Sequence, residues 1–114
     1  MSTDCIFCKI ARGEIPCEKI FEDNGVIAFK DLHPAAPIHY LIIPKTHIPT
    51  LNDVAPENSF LLGKMLSTAS LLAKEAGIAE GGYRTIINCN KDAGQVVFHL
   101  HMHLLGGKNL RSMG

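Results

Sequence analysis

Residues 98–104 alternate strictly between imidazole and large apolar side chains. The histidines are His99, His101 and His103, and the apolar residues are Phe98, Leu100, Met102 and Leu104. Successive side chains of a β-strand point to opposite faces, so this pattern predicts a strand with three imidazoles on one face and an apolar opposite face. The apolar face must pack on a core, most simply against a helix. The histidines would then line the other face of the sheet.

Three imidazoles on one face have three possible explanations. Imidazole can attack an electrophile, move protons or bind a metal ion near neutral pH. A half-exposed strand could also carry histidines without any function. A three-histidine metal site is disfavoured because alternate residues of one strand diverge, whereas zinc ligands must all lie about 2.0–2.1 Å from the ion. The pattern therefore favours catalytic histidines.

Around this segment the sequence predicts one α+β domain. Helical spacing indicates a long helix over residues 57–76, and a short helix is expected over 5–11. Strands are expected at 18–21, 26–30, 39–43, 83–87 and 96–105. The Asn24-Gly25 pair between the first two strands is a strong hairpin signal. We expect a mainly antiparallel sheet with the helices packed on one face.

Composition narrows the class of protein. A chain of 114 residues with 46% hydrophobic residues suits one domain, expected over residues 1–114 with a core at 5–107 and a tail at 108–114. Equal numbers of acidic and basic residues give no net charge, so no nucleic-acid partner is expected. The longest apolar stretch, residues 60–79, is interrupted by Lys64, Lys74 and Glu75, which argues against a membrane partner. Without a recognisable secretory signal, a cytoplasmic location is expected.

The chain also contains four cysteines, which are Cys5, Cys8, Cys17 and Cys89. Two disulfides would need an oxidising compartment, which the expected location disfavours. Cys5 and Cys8 have the C-x-x-C spacing of a metal half-site or a redox pair. A redox motif is disfavoured because the pair does not follow a strand of a βαβ unit. Cys17 and Cys89 are expected to be ordinary thiols.

Residues 94–107 resemble the signature of the histidine triad (HIT) superfamily, in which three histidines alternate with apolar residues. Further segments resemble the branch of histidine triad nucleotide-binding proteins. These segments are residues 6–7, 13–16, 21–23, 28–31, 36–45 and 82–84, together with Asn88. The resemblance covers nearly all of residues 5–107.

The resemblance implies a fold and an activity. The fold would be a five-stranded, mainly antiparallel sheet with one long and one short helix, in a homodimer that joins the sheets. The activity would be hydrolysis of purine nucleoside phosphoramidates and aminoacyl adenylates, releasing AMP through a nucleotidyl-histidine intermediate without a catalytic cofactor. One alternative is a dinucleoside polyphosphate hydrolase of the same superfamily. Another is a non-catalytic protein that binds nucleotide or zinc. The transferase branch is disfavoured because it typically lacks the third histidine, present here as His103.

Roles follow from the resemblance residue by residue. His101 would be the nucleophile, His103 would handle the proton of the leaving amine, and His39 would form a proton relay with His99. Asp31 would accept the ribose hydroxyls. The remaining nucleotide-binding residues are Ile6, Phe7, Phe29 and Leu32 for the purine, and Asn88, Gly94 and Gln95 for the phosphate.

The resemblance also implies a structural zinc site, which a subset of the superfamily possesses. Its ligands would be Cys5, Cys8, His47 and His99; the alternative is that the two cysteines are free thiols. Two departures from the family pattern are visible. Val96 stands where many relatives have a serine that contacts phosphate, and the tail lacks an aromatic residue that some relatives carry near their end.

Overall fold

Five antiparallel strands form a single sheet in the computed structural model, which describes residues 5–113. The ends of the predicted domain, residues 1–4 and 114, lie outside the described residues. The strands are β1 (Lys19–Glu22), β2 (Val26–Lys30), β3 (Ile38–Pro44), β4 (Tyr83–Ile86) and β5 (Met102–Gly106), in the order β1-β2-β3-β5-β4. One short helix, α1 (Ile6–Ala11), and one long helix, α2 (Ser59–Glu75), complete the predicted α+β architecture.

The hairpin between β1 and β2 is built on Asp23. Its Oδ1 accepts the backbone N–H of Gly25 at 2.8 Å and that of Val26 at 3.0 Å. This Asx-type turn closes the chain within a few residues. The predicted hairpin at Asn24-Gly25 is therefore confirmed.

Helix α2 covers one face of the sheet. It follows a 3₁₀ turn at Pro56–Asn58, where proline suits the first helical position, and Gly77 follows it in the left-handed conformation with φ of +77°. Its inward stripe packs on alternate residues of β2, β3 and β5. The main contributors are Leu61, Met65, Ala69 and Leu72 from the helix and Val26, Ala28, Ile42, Met102 and Leu104 from the strands.

Helix α1 covers the opposite face, which corrects the expectation that both helices share one face. Its Phe7 and Ile10 pack on the strand residues that alternate with those facing α2. These residues are Ile27 and Phe29 of β2 and Leu41 and Ile43 of β3. Buried side chains on both faces of β2 and β3 leave these central strands without a polar face, so each face requires its own cover.

The strand predicted at 96–105 is shorter in the structure, because β5 spans only Met102–Gly106. Before Met102 the chain leaves the sheet ladder, and the Leu100 N–H donates to the Ile48 carbonyl at 2.6 Å. Alternation nevertheless survives: Leu100 and Met102 are buried on the α2 side. Phe98 is the exception, with 48% of its surface exposed.

No helix within residues 5–113 is both long enough and apolar enough to cross a bilayer.

The close contact between β5 and the segment after α2 gives a test of the packing. A methyl group at Gly106 would lie 2.5 Å from Ile78 Cδ1 and 3.3 Å from Ile78 Cβ. We expect Gly106→Ala to lower the free energy of unfolding by about 1–3 kcal/mol, measured by urea denaturation. Gly63→Ala is the control, because a methyl there meets nothing within 4 Å, and it should raise helix stability by about 0.5–1 kcal/mol. Equal effects of the two substitutions would contradict this packing.

Candidate active site

The α1 side of the sheet carries the predicted catalytic residues. His103 on β5 pairs across the ladder with Leu41 of β3, whose side chain packs under α1. His39 lies two residues before Leu41 and therefore points to the same face. Asp31 follows β2 directly, two residues beyond the α1-side residue Phe29. Strand register alone thus places these groups together.

His101 is oriented by the main chain. Its Nδ1 lies 2.8 Å from the His99 carbonyl oxygen, which can only accept, so Nδ1 carries the proton. The neutral ring then has its lone pair on Nε2. The edge-on ring of Phe7 packs against it with centroids 5.1 Å apart, and the His103 ring lies at 5.2 Å. His101 is therefore set up as a nucleophile at Nε2.

His39 and His103 form a directed pair. The Ala35 backbone N–H donates to His39 Nδ1 at 3.0 Å, so the proton of the neutral His39 ring is on Nε2. That Nε2 lies 2.9 Å from His103 Nδ1 and 3.3 Å from Asp31 Oδ2. His39 therefore donates, and His103 accepts at Nδ1. The proton of neutral His103 is on Nε2, which makes this side chain a hydrogen-bond donor.

Burial keeps this pair neutral at physiological pH. It lowers the pKa of His39, against the opposing effect of the Asp31 carboxylate. Burial, followed by the positive charge that His101 and His39 can carry, lowers the pKa of His103 to about 4. A phosphate anion next to His103 would work in the opposite direction and favour its protonated form.

A second cluster joins α1, the chain after β3 and the histidine segment. Cys8 Sγ lies 3.2 Å from His47 Nδ1, and His99 Nδ1 lies 3.3 Å from Cys5 Sγ and 3.5 Å from Cys8 Sγ. Four ligand atoms placed tetrahedrally around zinc would be separated by about 3.3–3.8 Å. The four predicted ligands are therefore close enough to hold a metal ion.

The hydrogen bonds of His99 direct its ring toward this cluster and not toward His39. Its Nε2 lies 2.7 Å from the Pro44 carbonyl oxygen, so Nε2 donates and the lone pair is on Nδ1, facing the thiols. Both ring nitrogens are thus engaged away from His39. The predicted relay between His39 and His99 is wrong: His39 pairs with His103. Burial also lowers the pKa of His99, which keeps the ring neutral as a ligand must be.

The predicted purine residues fall into two pairs. Phe7 and Phe29 are buried under α1, with their rings edge to face at 5.7 Å. Ile6 and Leu32 are 47% and 87% exposed. The second pair is therefore not part of the core, and contact of Ile6 and Leu32 with a purine stays a prediction.

The predicted phosphate loop is held together from within. The Gly94 N–H donates to the Lys91 carbonyl and the Gln95 N–H to the Asn90 carbonyl. The buried Gln95 side chain accepts the Asn90 N–H and donates to the Pro49 and Val97 carbonyls. Gly94 and Gln95 therefore shape the loop, and direct phosphate contact by either stays a prediction. Val96, the departure from the family pattern, is 84% exposed beside them.

Asn88 lies two residues beyond the end of β4. Ile86, the last residue of β4, pairs with His103, and β5 begins at Met102, so Asn88 and His101 both lie just beyond the paired ladder at the same end of the two strands. That position is compatible with the predicted contact between its amide and a phosphate held by His101.

Two functional groups could not be found by inspecting side chains, because both belong to the main chain. They are the N–H of Ala35 and the carbonyl of Pro44, which fix the tautomers of His39 and His99. The sequence signal nearest to them is proline: Pro34 and Pro37 flank Ala35, and Pro44 ends β3.

Comparison with known proteins agrees with this geometry. The family model described as HIT domain matches residues 12–110. The chain belongs to the HIT family. It is 50% identical over 113 residues to the purine nucleoside phosphoramidase of Escherichia coli K12, covering 99% of this chain and 95% of that protein.

Solved structures support the same assignment. A histidine triad protein from Clostridium difficile superposes with a TM-score of 0.96 at 45% identity, covering 100% of this chain and 99% of that one. A HIT family hydrolase from Legionella pneumophila superposes with a TM-score of 0.91 at 52% identity, covering 93% and 95%.

The depressed pKa of His103 predicts a pH dependence of stability. Imidazole ordinarily titrates near 6.5, whereas folded His103 titrates near 4. Between these values the unfolded chain binds a proton that the folded chain does not, so stability decreases as the pH falls through this window and levels off below it. Urea midpoints measured across the window should show this decrease. His103→Gln should make it shallower, and an unchanged slope would contradict the assignment.

Proposed function

We propose that this chain is a purine nucleoside phosphoramidase that releases AMP from adenosine 5′-phosphoramidates. The observation that carries the proposal is the opposite polarity of two adjacent histidines. His101 has its lone pair on Nε2, whereas neutral His103 has its proton on Nε2, and the two rings are 5.2 Å apart. One attacking nitrogen beside one N–H donor is what displacement at phosphorus needs. The name and 50% identity of the Escherichia coli relative support the same reaction.

The proposed reaction has two steps. His101 Nε2 attacks the α-phosphorus, the P–N bond breaks, and the amine leaves with a proton supplied at His103. The nucleotidyl-histidine is then attacked by water, which gives a proton back to His103; the P–N bond to His101 breaks, and AMP and the free imidazole are released. His39 Nε2 donates a hydrogen bond to His103 Nδ1. The Asp31 carboxylate lies 3.3 Å from His39 Nε2, where it would balance positive charge on the two histidines. An aminoacyl adenylate would react in the same way, with a carboxylate as the leaving group.

The substrate would lie on the α1 side of the sheet. The exposed Ile6 and Leu32 would contact the purine above the buried Phe7 and Phe29. Asp31 would accept from the ribose hydroxyls, and the Asn88 amide would donate to the phosphate. Val96 provides no hydroxyl at the position where many relatives have serine, so the remaining donors at the phosphate carry more of the binding.

We also propose that the cluster of Cys5, Cys8, His47 and His99 holds a structural zinc ion. Two sulfur and two nitrogen donors are the set that tetrahedral zinc prefers, and four protein ligands leave no open position for substrate. Burial raises the pKa of the Cys8 thiol, so the metal must displace a proton when it binds. Catalysis itself needs no cofactor in this proposal.

The proposed biological unit is a cytoplasmic homodimer of one domain per chain, with its sheets joined. β4 is an edge strand of the sheet and offers a free side for such pairing. Several large apolar side chains of α2 and β4 are exposed in the single chain, which supports a covering partner. They are Phe60, Leu66, Leu71 and Tyr83.

The first test is AMP release from adenosine 5′-phosphoramidate, followed by chromatography. We expect His101→Ala to reduce kcat/KM by at least about 10³-fold, because the nucleophile is removed. His33→Ala is the matched control, because this exposed histidine lies outside both clusters and its backbone N–H is retained.

The alternatives predict other outcomes of the same assay. Turnover of a dinucleoside polyphosphate without release from the phosphoramidate would indicate the rival hydrolase. Purine nucleotide binding that survives His101→Ala, with no turnover of either substrate by the native chain, would indicate a non-catalytic binding protein.

Zinc binding is tested by metal analysis of protein purified without chelator. We expect about one zinc per chain in the native protein, and loss of zinc with a Tm lower by several degrees in Cys5→Ser and Cys8→Ser. Cys17→Ser should retain both the metal and the Tm, since Cys17 is outside the cluster. Metal-free native protein, or a Tm unaffected by chelator, would contradict the proposed site.

A further inference from the structure

The main-chain amide of Ala35 controls the direction of the hydrogen bond between two catalytic-site histidines. An amide N–H can only donate, so the 3.0 Å contact with His39 Nδ1 leaves this nitrogen without a proton. The neutral ring must therefore carry its proton on Nε2. That proton points to His103 Nδ1 at 2.9 Å, which is the acceptor of the pair.

The tautomer of His39 in turn fixes the tautomer of His103, whose Nε2 is the ring nitrogen left to face a substrate. With Nδ1 of His103 occupied as an acceptor, its proton is confined to Nε2, the only ring nitrogen left. The His99 carbonyl has the opposite effect on His101: it accepts a hydrogen bond from Nδ1, so the proton of His101 is on Nδ1. Two main-chain groups thus give two neighbouring histidines opposite polarity.

We propose that the Ala35 N–H is a positioning group for the reaction: it fixes the tautomers of His39 and His103 so that His103 presents an N–H to the substrate. The catalytic consequence rests on the proposed hydrolase activity. The tautomers themselves exist without any substrate and can be observed separately.

Hydrogen bonds of Asp31 and two prolines hold the loop that carries Ala35 in place. Asp31 closes its base, because the Asp31 N–H donates to the His39 carbonyl at 3.0 Å and Asp31 Oδ1 accepts the His33 N–H at 2.8 Å. Pro34 and Pro37 restrict the backbone on either side of Ala35. The amide therefore meets His39 at little further cost in conformational entropy.

The same hydrogen bond disfavours a metal ion at the catalytic histidines. Asp31, His39 and His103 offer three ligand atoms close enough to surround an ion. An ion at His39 would need the lone pair of Nε2, which would move the proton to Nδ1 and set it against the Ala35 N–H. In the other cluster the Pro44 carbonyl accepts from His99 Nε2 and leaves Nδ1 free for a metal.

The test removes the N–H alone. Incorporation of lactic acid in place of Ala35 turns the amide into an ester and keeps the methyl group, while Ala35→Pro removes the N–H by ordinary mutagenesis. Nitrogen-15 NMR of the imidazole rings in zinc-loaded protein reports which nitrogen is protonated. In the native chain we expect protonated Nε2 for His39 and His103 and protonated Nδ1 for His101.

In the ester variant, the Nδ1-protonated form of His39 should become populated, and kcat for the phosphoramidate should fall by about 10-fold or more with KM changed less than about 2-fold. Added Ni²⁺ should broaden the His39 and His103 resonances at lower concentration than in the native chain. Ala35→Gly retains the N–H and should retain the native tautomers.

Two results would overturn the proposal: a proton on His39 Nδ1 in the native chain, or unchanged tautomers in both the ester and proline variants. If Ala35→Pro does not fold, the ester variant decides, because it removes the N–H without introducing a proline ring. Absence of turnover by the native chain would refute the proposed function, and the NMR comparison would still decide whether Ala35 fixes the tautomers.

Discussion

The buried His99 is held from three directions, and both clusters depend on it. Its Nε2 donates to the Pro44 carbonyl, its Nδ1 faces Cys5 and Cys8, and its carbonyl accepts the Nδ1 proton of His101. The ring has no exposed surface, so an unsatisfied nitrogen there would be costly. One residue thus belongs to the Cys/His cluster through its side chain and orients His101, the predicted nucleophile, through its main chain. Displacing it would disturb both.

Polarity at the site comes from main-chain groups more than from the choice of side chains. The three imidazoles of His39, His101 and His103 are chemically identical, and each could carry its proton on either nitrogen. Amide and carbonyl groups have no such freedom, because one only donates and the other only accepts. A single contact with such a group gives His39 and His101 a defined direction, and the hydrogen bond from His39 gives one to His103. Lowered pKa values keep the His39–His103 pair neutral, so the direction persists.

Alternation in residues 98–104 predicted the two faces correctly except at Phe98, but it did not predict the length of the strand. Side-chain burial needs only the period of two, and Leu100 keeps its place in the core although the ladder begins at Met102. The ladder itself depends on which backbone pairs with which. Here the Leu100 N–H finds the Ile48 carbonyl, a contact between distant segments that local patterns do not contain.

Other errors have the same origin. The position of α1 could not be read from its six residues, because both faces of β2 and β3 are apolar and either could accept it. The family resemblance, which names residues and not distances, predicted correctly that Cys5, Cys8, His47 and His99 lie together; metal binding by them stays a prediction. The partner of His39 was predicted wrongly, since only the register of β3 against β5 sets it beside His103.

The cluster of Cys5, Cys8, His47 and His99 also has a consequence for synthesis of the chain. Cys5 and His99 are separated by 94 positions. At about 5–20 residues per second, Cys5 is made some 5–20 s before His99. His47 is made within that interval, so three of the four residues of the cluster precede His99 along the chain. The last residue of the cluster is therefore made almost together with His101, the predicted nucleophile, which follows two residues later.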